Sequence, residues 1–150
     1  MQHAVCWLMI TIYTDASCII PLGISGWAAV IFHQDGRVEE LSGSEKCGRI
    51  NRMELLAVIK ALSALKSQEL VTIYTDSQYV IRGSSQFKRP DNNADLWEQL
   101  DALKAAHIVC LKWIKSHSGN HENNLADKLA RKAALRKVRT IYENPNCYNR

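Results

Sequence analysis

The tetrapeptide Ile-Tyr-Thr-Asp occurs twice in this sequence, at residues 12–15 and 73–76. In both copies an apolar run typical of a β-strand ends in a carboxylate, Asp15 or Asp76. In open α/β sheets, binding and catalytic sites form beyond the carboxyl ends of the parallel strands. If the two strands are neighbours, their carboxylates meet at such an end. Taken singly, each acid has a plainer explanation as a turn residue, and Asp76 also as a helix cap.

A third acid, Glu54, lies in the segment NRMELLAVIKAL, which has the apolar spacing of an amphipathic helix. The same helical face carries apolar residues one, two and three turns further on: Val58, Ala61 and Leu65. Glu54 therefore belongs to the stripe that faces the core, where an unpaired carboxylate costs roughly several kcal/mol. Arg52 lies on another face, so it does not provide the partner. We expect Glu54 to project towards the sheet end that carries Asp15 and Asp76.

A fourth acid, Asp127, lies in the segment ENNLADKLARKAA. It borders the alanine side of a predicted helix, where small residues allow close packing against a sheet. This placement would bring Asp127 towards the other three acids. An ordinary surface aspartate paired with Arg131, four residues on, explains the local sequence equally well.

Four converging carboxylates repel one another, and this repulsion raises their pKa values sharply. Divalent cations remove the repulsion, and oxygen ligands favour Mg²⁺ or Mn²⁺ over zinc or copper. Two such ions in a carboxylate cluster suit in-line displacement at a phosphodiester. The sequence therefore predicts a site for two Mg²⁺ ions, with Mn²⁺ able to substitute, and four acidic ligands: Asp15, Glu54, Asp76 and Asp127.

The elements that would position these acids alternate between strands and helices after an initial hairpin. Strands are predicted at residues 5–14, 27–32, 38–42, 70–75 and 108–114, and helices at 51–66, 77–81, 95–106 and 125–138. An Asp-Gly pair within 33–37 predicts the hairpin between strands two and three, and loops are predicted at 18–26 and 84–94. The pattern predicts an α/β fold with antiparallel strands one to three, strands four and five joined in parallel, and flanking helices.

The composition is typical of one globular domain. The chain has 150 residues, 47% of them hydrophobic, which is enough for a core of its own. Its five cysteines form no CxxC pair, so we expect reduced thiols and a cytoplasmic location. We expect no signal peptide and no membrane span, which needs ~20 apolar residues.

The net charge of +4 permits a polyanionic partner without requiring one. Basic residues crowd the segment 128–139, and on charge alone a solvated helix face is the favoured explanation. We expect a domain at 1–139 followed by a tail at 140–150.

Five segments, in this order, resemble motifs of the type 1 ribonuclease H family. They are YTDAS at 13–17, NRMELLAVIKAL at 51–62, TDSQYV at 75–80, DLW at 95–97 and IKSHSGNHENNLADKLA at 114–130. The resemblance covers roughly residues 8–134. It implies a ribonuclease H-like fold with a five-stranded mixed sheet, in which strands one, four and five are parallel.

The resemblance also implies a monomeric, Mg²⁺-dependent endonuclease that cuts the RNA strand of an RNA–DNA hybrid and leaves a 5′-phosphate and a 3′-hydroxyl. Matching positions make Asp15 a ligand that bridges both ions. Glu54 and Asp76 would complete the metal on the leaving-group side, and Asp127 the metal on the side of the attacking water. His117, in the SHSG loop, would assist proton transfer or product departure.

The family reads its substrate through the minor groove, where the ribose 2′-hydroxyl distinguishes RNA from DNA. By matching position, Asn51 and Gln78 would read this groove. Asn93 would lie near a pocket for a DNA phosphate, and Phe87 would stack on a DNA sugar. Turn or cap chemistry explains the three polar residues as well.

The sequence departs from the family pattern at several positions. Ala16 replaces the usual glycine after the first aspartate, and Ile50 stands where many members have asparagine. The loop predicted at 18–26 is unusually apolar. The basic protrusion of many bacterial members is missing, and only QFKRPDNN at 86–93 occupies that region. We expect weaker hybrid binding, since phosphate contacts supply much of the affinity, and the basic C-terminal segment is a candidate for compensation.

Two other functions fit parts of the sequence. A non-catalytic hybrid-binding module would use the same scaffold, but it has no need for an acid such as Glu54 on an apolar stripe. A transposase or integrase core would lack the NRME and SHSG elements that this chain has.

Overall fold

A five-stranded mixed sheet forms the centre of the computed structural model, which describes residues 9–46, 49–85, 89 and 92–143. Its strands are β1 (Met9–Ile19), β2 (Ile24–Phe32), β3 (Val38–Lys46), β4 (Leu70–Thr75) and β5 (Ile108–Trp113). The spatial order is β3-β2-β1-β4-β5. The first three strands pair antiparallel, and β1, β4 and β5 pair parallel. The predicted sheet is confirmed.

The helices are α1 (Ile50–Ser63), α2 (Gln78–Ser85), α3 (Ala94–Ala106) and α4 (His121–Glu143). α1 packs on β1, β2 and α3, and its buried residues join Ile12 of β1 and Ile73 of β4 in the main core. α4 packs mainly on β1 and β2. Among the described residues, none of the helices combines the length and apolar character needed to cross a bilayer.

The first strand is longer than predicted, and Asp15 lies within it. β1 continues to Ile19 because it stays paired with β2, and Asp15 is opposite Ala28. A short 3-10 helix, Ile20–Leu22, closes this hairpin with Gly23 at a φ of 60°. The loop predicted at 18–26 is therefore correct for residues 20–23 and wrong at both ends, where residues 18–19 and 24–26 pair as strands.

The parallel pairing gives Asp15 its position at the sheet end nevertheless. The ladder between β1 and β4 ends at the pair Thr14–Thr75. Asp15 and Asp76 are the next residues on the two adjacent strands. Both acids consequently lie just beyond the parallel ladder, which is the position that the repeated tetrapeptide predicted.

Several element boundaries follow from local hydrogen bonds. The predicted hairpin at 33–37 is confirmed, since the His33 amide donates to the Arg37 carbonyl at 2.9 Å. α4 begins before residue 125 because the Asn120 side chain caps it, accepting from the Asn123 amide at 2.8 Å. The helix continues through residue 139 to Glu143. The division of the chain at 139 stays a prediction, and the predicted strand residues 5–8 lie outside the described part.

The closest approach of α4 to the sheet is at Gly26 in β2. A Cβ atom at this position would lie 2.8 Å from the Ala134 backbone nitrogen, and closer still to the Ala130 carbonyl oxygen. Both alanines are fully buried. The small residues on the two surfaces therefore set the height of α4 above the sheet.

We expect Gly26→Ala to lower the free energy of unfolding by about 1–3 kcal/mol, because the added methyl group overpacks the contact between helix and sheet. Chemical denaturation measures the change. Ser42→Ala, at an exposed position of the same sheet, serves as the control and should change stability by less than ~0.5 kcal/mol. Equal stabilities for the two variants would contradict the packing argument.

Candidate active site

Three carboxylates from distant segments meet at the end of the parallel ladder. Oxygens of Asp15 on β1, Glu54 on α1 and Asp76 after β4 all lie within 4.8 Å of one another. Asp15 and Glu54 are buried, and Asp76 is half-buried. The structure thus brings together three of the four acids as the sequence predicted.

Within the part of the chain that the structure describes, Glu54 forms no ion pair that would explain its burial. Its side chain is only 6% exposed, and within the described residues its Oε2 atom has no hydrogen-bond partner. Arg52 is turned towards α3, where it donates to both carboxylate oxygens of Asp95, at 3.1 and 2.9 Å. A buried ionised carboxylate oxygen without a partner is costly, so Glu54 is stable here either protonated or beside a bound cation.

Burial is the main cause that raises the pKa of all three carboxyls, and nearby carboxylates add to it. The pKa of Asp15 rises to about 7, mainly because of burial and then because of the charge on Asp76. The pKa of Glu54 lies well above its usual value through burial and the charges of Asp15 and Asp76. Burial also raises the pKa of Asp76. Metal-free protein at neutral pH therefore retains protons in this cluster that a bound cation would displace.

Asp76 is not the cap of α2, which was its plainer explanation. The neighbouring Ser77 fills that role, since its hydroxyl accepts a hydrogen bond from the Val80 amide at 3.2 Å. Thr75 in turn accepts from the Ser77 amide at 3.1 Å. The serine caps the helix, which leaves the Asp76 carboxylate to face Asp15 and Glu54.

Asp127 both pairs with Arg131 on the helix surface and lies near the other acids, so the two explanations of this residue hold together. Its Oδ1 accepts from Arg131 Nε at 3.1 Å, as expected for an i, i+4 pair. It also lies beside Asp15, and its charge and a side-chain hydrogen bond both contribute to the raised pKa of Asp15. Asp127 is outside the compact trio, at the more open side of the cluster.

His117 lies on the exposed turn before α4 and has a left-handed backbone with a φ of 54°. Its charge lowers the pKa of Asp76, which places the imidazole near that carboxylate. The sequence motif indicated this proximity, but the backbone conformation could not be read from residue types because non-glycine residues rarely adopt it.

The predicted substrate-binding residues have different surroundings. Asn51 in the first turn of α1 and Gln78 at the start of α2 are exposed. Asn93 accepts from Arg52 at 3.2 Å and donates to the Tyr79 hydroxyl at 3.0 Å, so its amide holds the start of α3. Phe87 lies outside the described residues.

A cleft of about 590 Å³ adjoins the carboxylates, and no sequence pattern predicted it. It runs between the end of β1, the start of α1 and the outer side of α4. Its lining residues are Ala16, Ser17, Cys18, Ile19, Ile20, Ile50, His117, Asp127, Arg131 and Leu135. Two departures from the family pattern, Ala16 and Ile50, therefore line one surface.

Comparison with known proteins identifies the family. Residues 9–135 match the family model described as RNase H. The chain belongs to the RNase H family. Proteins named Ribonuclease H from Francisella philomiragia and Rhizobium johnstonii are 44% and 45% identical to it over 134 and 136 residues. These alignments cover 81% and 82% of this chain and 88% and 89% of the relatives. The ribonuclease H enzyme expected from the sequence is confirmed.

Solved structures of RNase H proteins have the same fold. LC9-RNase H1, described as a type 1 RNase H with the type 2 active-site motif, is 25% identical with a TM-score of 0.74, over 85% of this chain and 72% of that one. LC11-RNase H1, solved in complex with an RNA/DNA hybrid, is 20% identical with a TM-score of 0.69, over 86% and 99% of the two chains.

The residues present fit a divalent metal ion. All three clustered side chains offer hard oxygen donors, and no His or Cys belongs to the trio. The partnerless Oε2 of Glu54 is the atom that a cation would satisfy. An all-carboxylate cluster of this kind is typical of sites for hard divalent cations.

We expect Asp15→Asn to stabilise the metal-free protein, and increasingly so as the pH rises. Burial and the charge of Asp76 raise the pKa of Asp15 from 3.8 to about 7 in the folded state. The destabilisation by Asp15 therefore develops as the pH rises from about 4 and is complete above about 7. The gap in unfolding free energy between variant and wild type should be larger at pH 8 than at pH 5 by about 2 kcal/mol.

Denaturation in EDTA at the two pH values measures this gap, and Mg²⁺ should reduce it. Glu40→Gln, at an exposed position on β3, controls for the general loss of one negative charge. A gap that is the same at both pH values would exclude the repulsive cluster as its cause.

Proposed function

We propose that this chain is an endonuclease that hydrolyses the RNA strand of RNA–DNA hybrids and leaves a 5′-phosphate and a 3′-hydroxyl. The observation that carries the proposal is the convergence of Asp15, Glu54 and Asp76 within 4.8 Å in a member of the RNase H family. The hybrid bound to LC11-RNase H1, a protein of the same fold, supports the substrate class.

Two Mg²⁺ ions are the proposed cofactors, with Mn²⁺ able to substitute. Asp15 would contact both, Glu54 and Asp76 would complete one ligand set, and Asp127 would belong to the other. When bound, such ions activate the attacking water and stabilise the leaving oxygen. The all-oxygen donor set and the partnerless Glu54 oxygen support this assignment.

The protein's own contribution is to hold these ligands rigidly. The Ala16 amide donates to Asp15 Oδ1 at 2.8 Å and orients that carboxylate. Burial fixes Glu54 in the core-facing stripe of α1. His117 lies on the open side near Asp76, where its imidazole is proposed to transfer a proton at the departing oxygen.

Substrate recognition is proposed to use the exposed amides of Asn51 and Gln78. Each can exchange hydrogen bonds with ribose 2′-hydroxyls in the minor groove, which distinguish the RNA strand. The role of Phe87 stays a prediction. Asn93 is already engaged by Arg52 and Tyr79, so it supports the start of α3, and its contact with a DNA phosphate also stays a prediction.

Weak binding by this enzyme is proposed to follow from the short connection between α2 and α3. α2 ends at Ser85 and α3 begins at Ala94, which leaves only residues 86–93 where many bacterial relatives are expected to carry a basic protrusion. Fewer phosphate contacts mean lower affinity and a smaller salt dependence. A monomeric state and a cytoplasmic location stay predictions.

A gel assay with labelled duplexes tests the activity. Wild type with Mg²⁺ should cut the RNA strand of a hybrid but neither strand of a DNA duplex, and EDTA should abolish cleavage. Asp15→Asn should lower the rate by roughly three orders of magnitude, because bound metal supplies several kcal/mol of transition-state stabilisation.

Asp35→Asn, at an exposed turn position, is the matched control for this assay. End-labelling of the products identifies the phosphate position. Binding of the hybrid without cleavage by wild type, under all metal conditions, would indicate a non-catalytic module and overturn the proposal.

Ribose recognition predicts a separate kinetic effect. Asn51→Ala and Gln78→Ala should each raise KM for the hybrid by about tenfold and change kcat less, since a lost hydrogen bond costs ~1 kcal/mol or somewhat more. Gln68→Ala is the control, because Gln68 is exposed and precedes β4, at the opposite end of the sheet. Replacing single riboses of the RNA strand by deoxyribose should raise the KM of the wild-type protein at the recognised position. At that position the same replacement should not raise the KM of the variant further.

A further inference from the structure

Asp76 differs from the other two clustered acids in how its backbone is held. Asp15 lies within β1 and pairs with Ala28 of β2, and Glu54 lies within α1. Asp76 lies between β4, which ends at Thr75, and α2, which begins at residue 78. Its carboxylate therefore needs some other contact to keep it in place.

Trp113 ends β5 next to this point of the chain. The ladder between β4 and β5 closes at the pair Thr75–Trp113, and one more bond follows it, from the Ile114 amide to the Thr75 carbonyl at 2.9 Å. The Trp113 indole reaches one residue further. Its Nε1 donates to the carbonyl oxygen of Asp76 at 3.1 Å.

The peptide group between Asp76 and Ser77 is consequently held at both of its polar atoms. Its carbonyl accepts from the Trp113 indole, and its N–H donates to the Thr75 hydroxyl at 3.1 Å. Because a peptide group is planar, these two bonds fix its orientation. The orientation of this plane sets the backbone torsion at the Asp76 Cα, and hence the direction from which the carboxylate leaves the chain.

Packing alone explains Trp113 poorly. It is 47% exposed, whereas Trp97, whose indole is also bonded, is 2% exposed. Water can satisfy an indole N–H at a half-exposed position, so burial does not force the bond to Asp76. The consequence of that bond lies in the carbonyl that it holds.

We propose that Trp113 is a positioning residue for Asp76, and that its indole N–H keeps this carboxylate turned towards Asp15 and Glu54 for a divalent cation. The inference rests on the proposed function and adds to it a residue that contacts neither substrate nor metal. Without the indole N–H, the Asp76 carbonyl loses one of the two bonds that fix the peptide plane. The affinity for the cation should fall, while contacts with the hybrid stay as they are.

Titration calorimetry of the full chain with Mg²⁺ alone tests the proposal. Trp113→Phe removes the N–H and keeps an aromatic ring, and it should raise the Kd for Mg²⁺ about fivefold, as expected for one lost hydrogen bond. Trp113→His restores a donor, because imidazole Nε2 occupies the ring position of indole Nε1. At about pH 8 the imidazole is neutral, so it adds no charge. Equal Kd values for the two variants would overturn the inference.

Trp97→Phe is the matched control. It also removes an indole N–H, which donates to the Tyr79 hydroxyl at 3.3 Å. Trp97 is more deeply buried, so this variant should lose more stability in EDTA than Trp113→Phe does. Its Kd for Mg²⁺ should nevertheless equal that of wild type. A similar loss of Mg²⁺ affinity in both variants would indicate general loosening of the fold and would contradict a role specific to Trp113.

Steady-state kinetics on a labelled hybrid separate the remaining outcomes. Trp113→Phe should lower kcat about fivefold when Mg²⁺ is below its Kd, recover most of it in excess Mg²⁺, and leave KM for the hybrid nearly unchanged. A raised KM with unchanged kcat would mean that the indole contacts the hybrid, and it would overturn the inference while wild-type cleavage upheld the proposed function. Mg²⁺ binding that depends on Trp113, without cleavage by wild type, would overturn the function alone.

Discussion

Electrostatic repulsion among buried carboxylates is the constraint on which this structure depends. Asp15, Glu54 and Asp76 face one another within 4.8 Å in a poorly solvated site, where each raises the free energy of ionising the others. Among the described residues, Arg52 pairs with Asp95 and Ser77 caps α2 beside Asp76, so neither residue supplies a charge or a capping role that accounts for the cluster. The packing of the fold supplies the free energy that holds the acids together.

Strands and helices, rather than loops, hold the acids close together. The parallel ladder between β1 and β4 fixes Asp15 and Asp76 side by side, and the continued pairing of β1 with β2 makes the backbone around Asp15 part of the sheet. α1 brings Glu54 from the core side. α4 brings Asp127, at a height set by its close contact with Gly26. Sites built on strands and helices keep their geometry better than sites built on loops.

Sequence patterns predicted the features that depend on periodicity. The predicted bounds of β4, residues 70 and 75, are the observed ones. The apolar spacing of α1 correctly predicted that Glu54 faces the core. Features set by tertiary pairing were missed. β1 and β2 extend towards Gly23 because they pair with each other, and residue types alone suggested a loop there. The hydrogen bonds of the Asn93 amide to Arg52 and Tyr79, which are distant in sequence, could not be predicted from residue types, and its contact with a DNA phosphate stays a prediction.

The solvent exposure of the site residues increases from one side of the site to the other. Glu54 is almost completely enclosed, Asp15 is buried beside it, Asp76 and Asp127 are half-buried, and His117 lies in solvent. Electrostatic repulsion is strongest between the buried carboxylates, because little water screens their charges. It is weakest at the exposed side of the site, where Arg131 partly neutralises Asp127. The pairing of Arg131 with Asp127, which also fits an ordinary surface ion pair, thus lowers the negative potential on the open side of the carboxylate cluster.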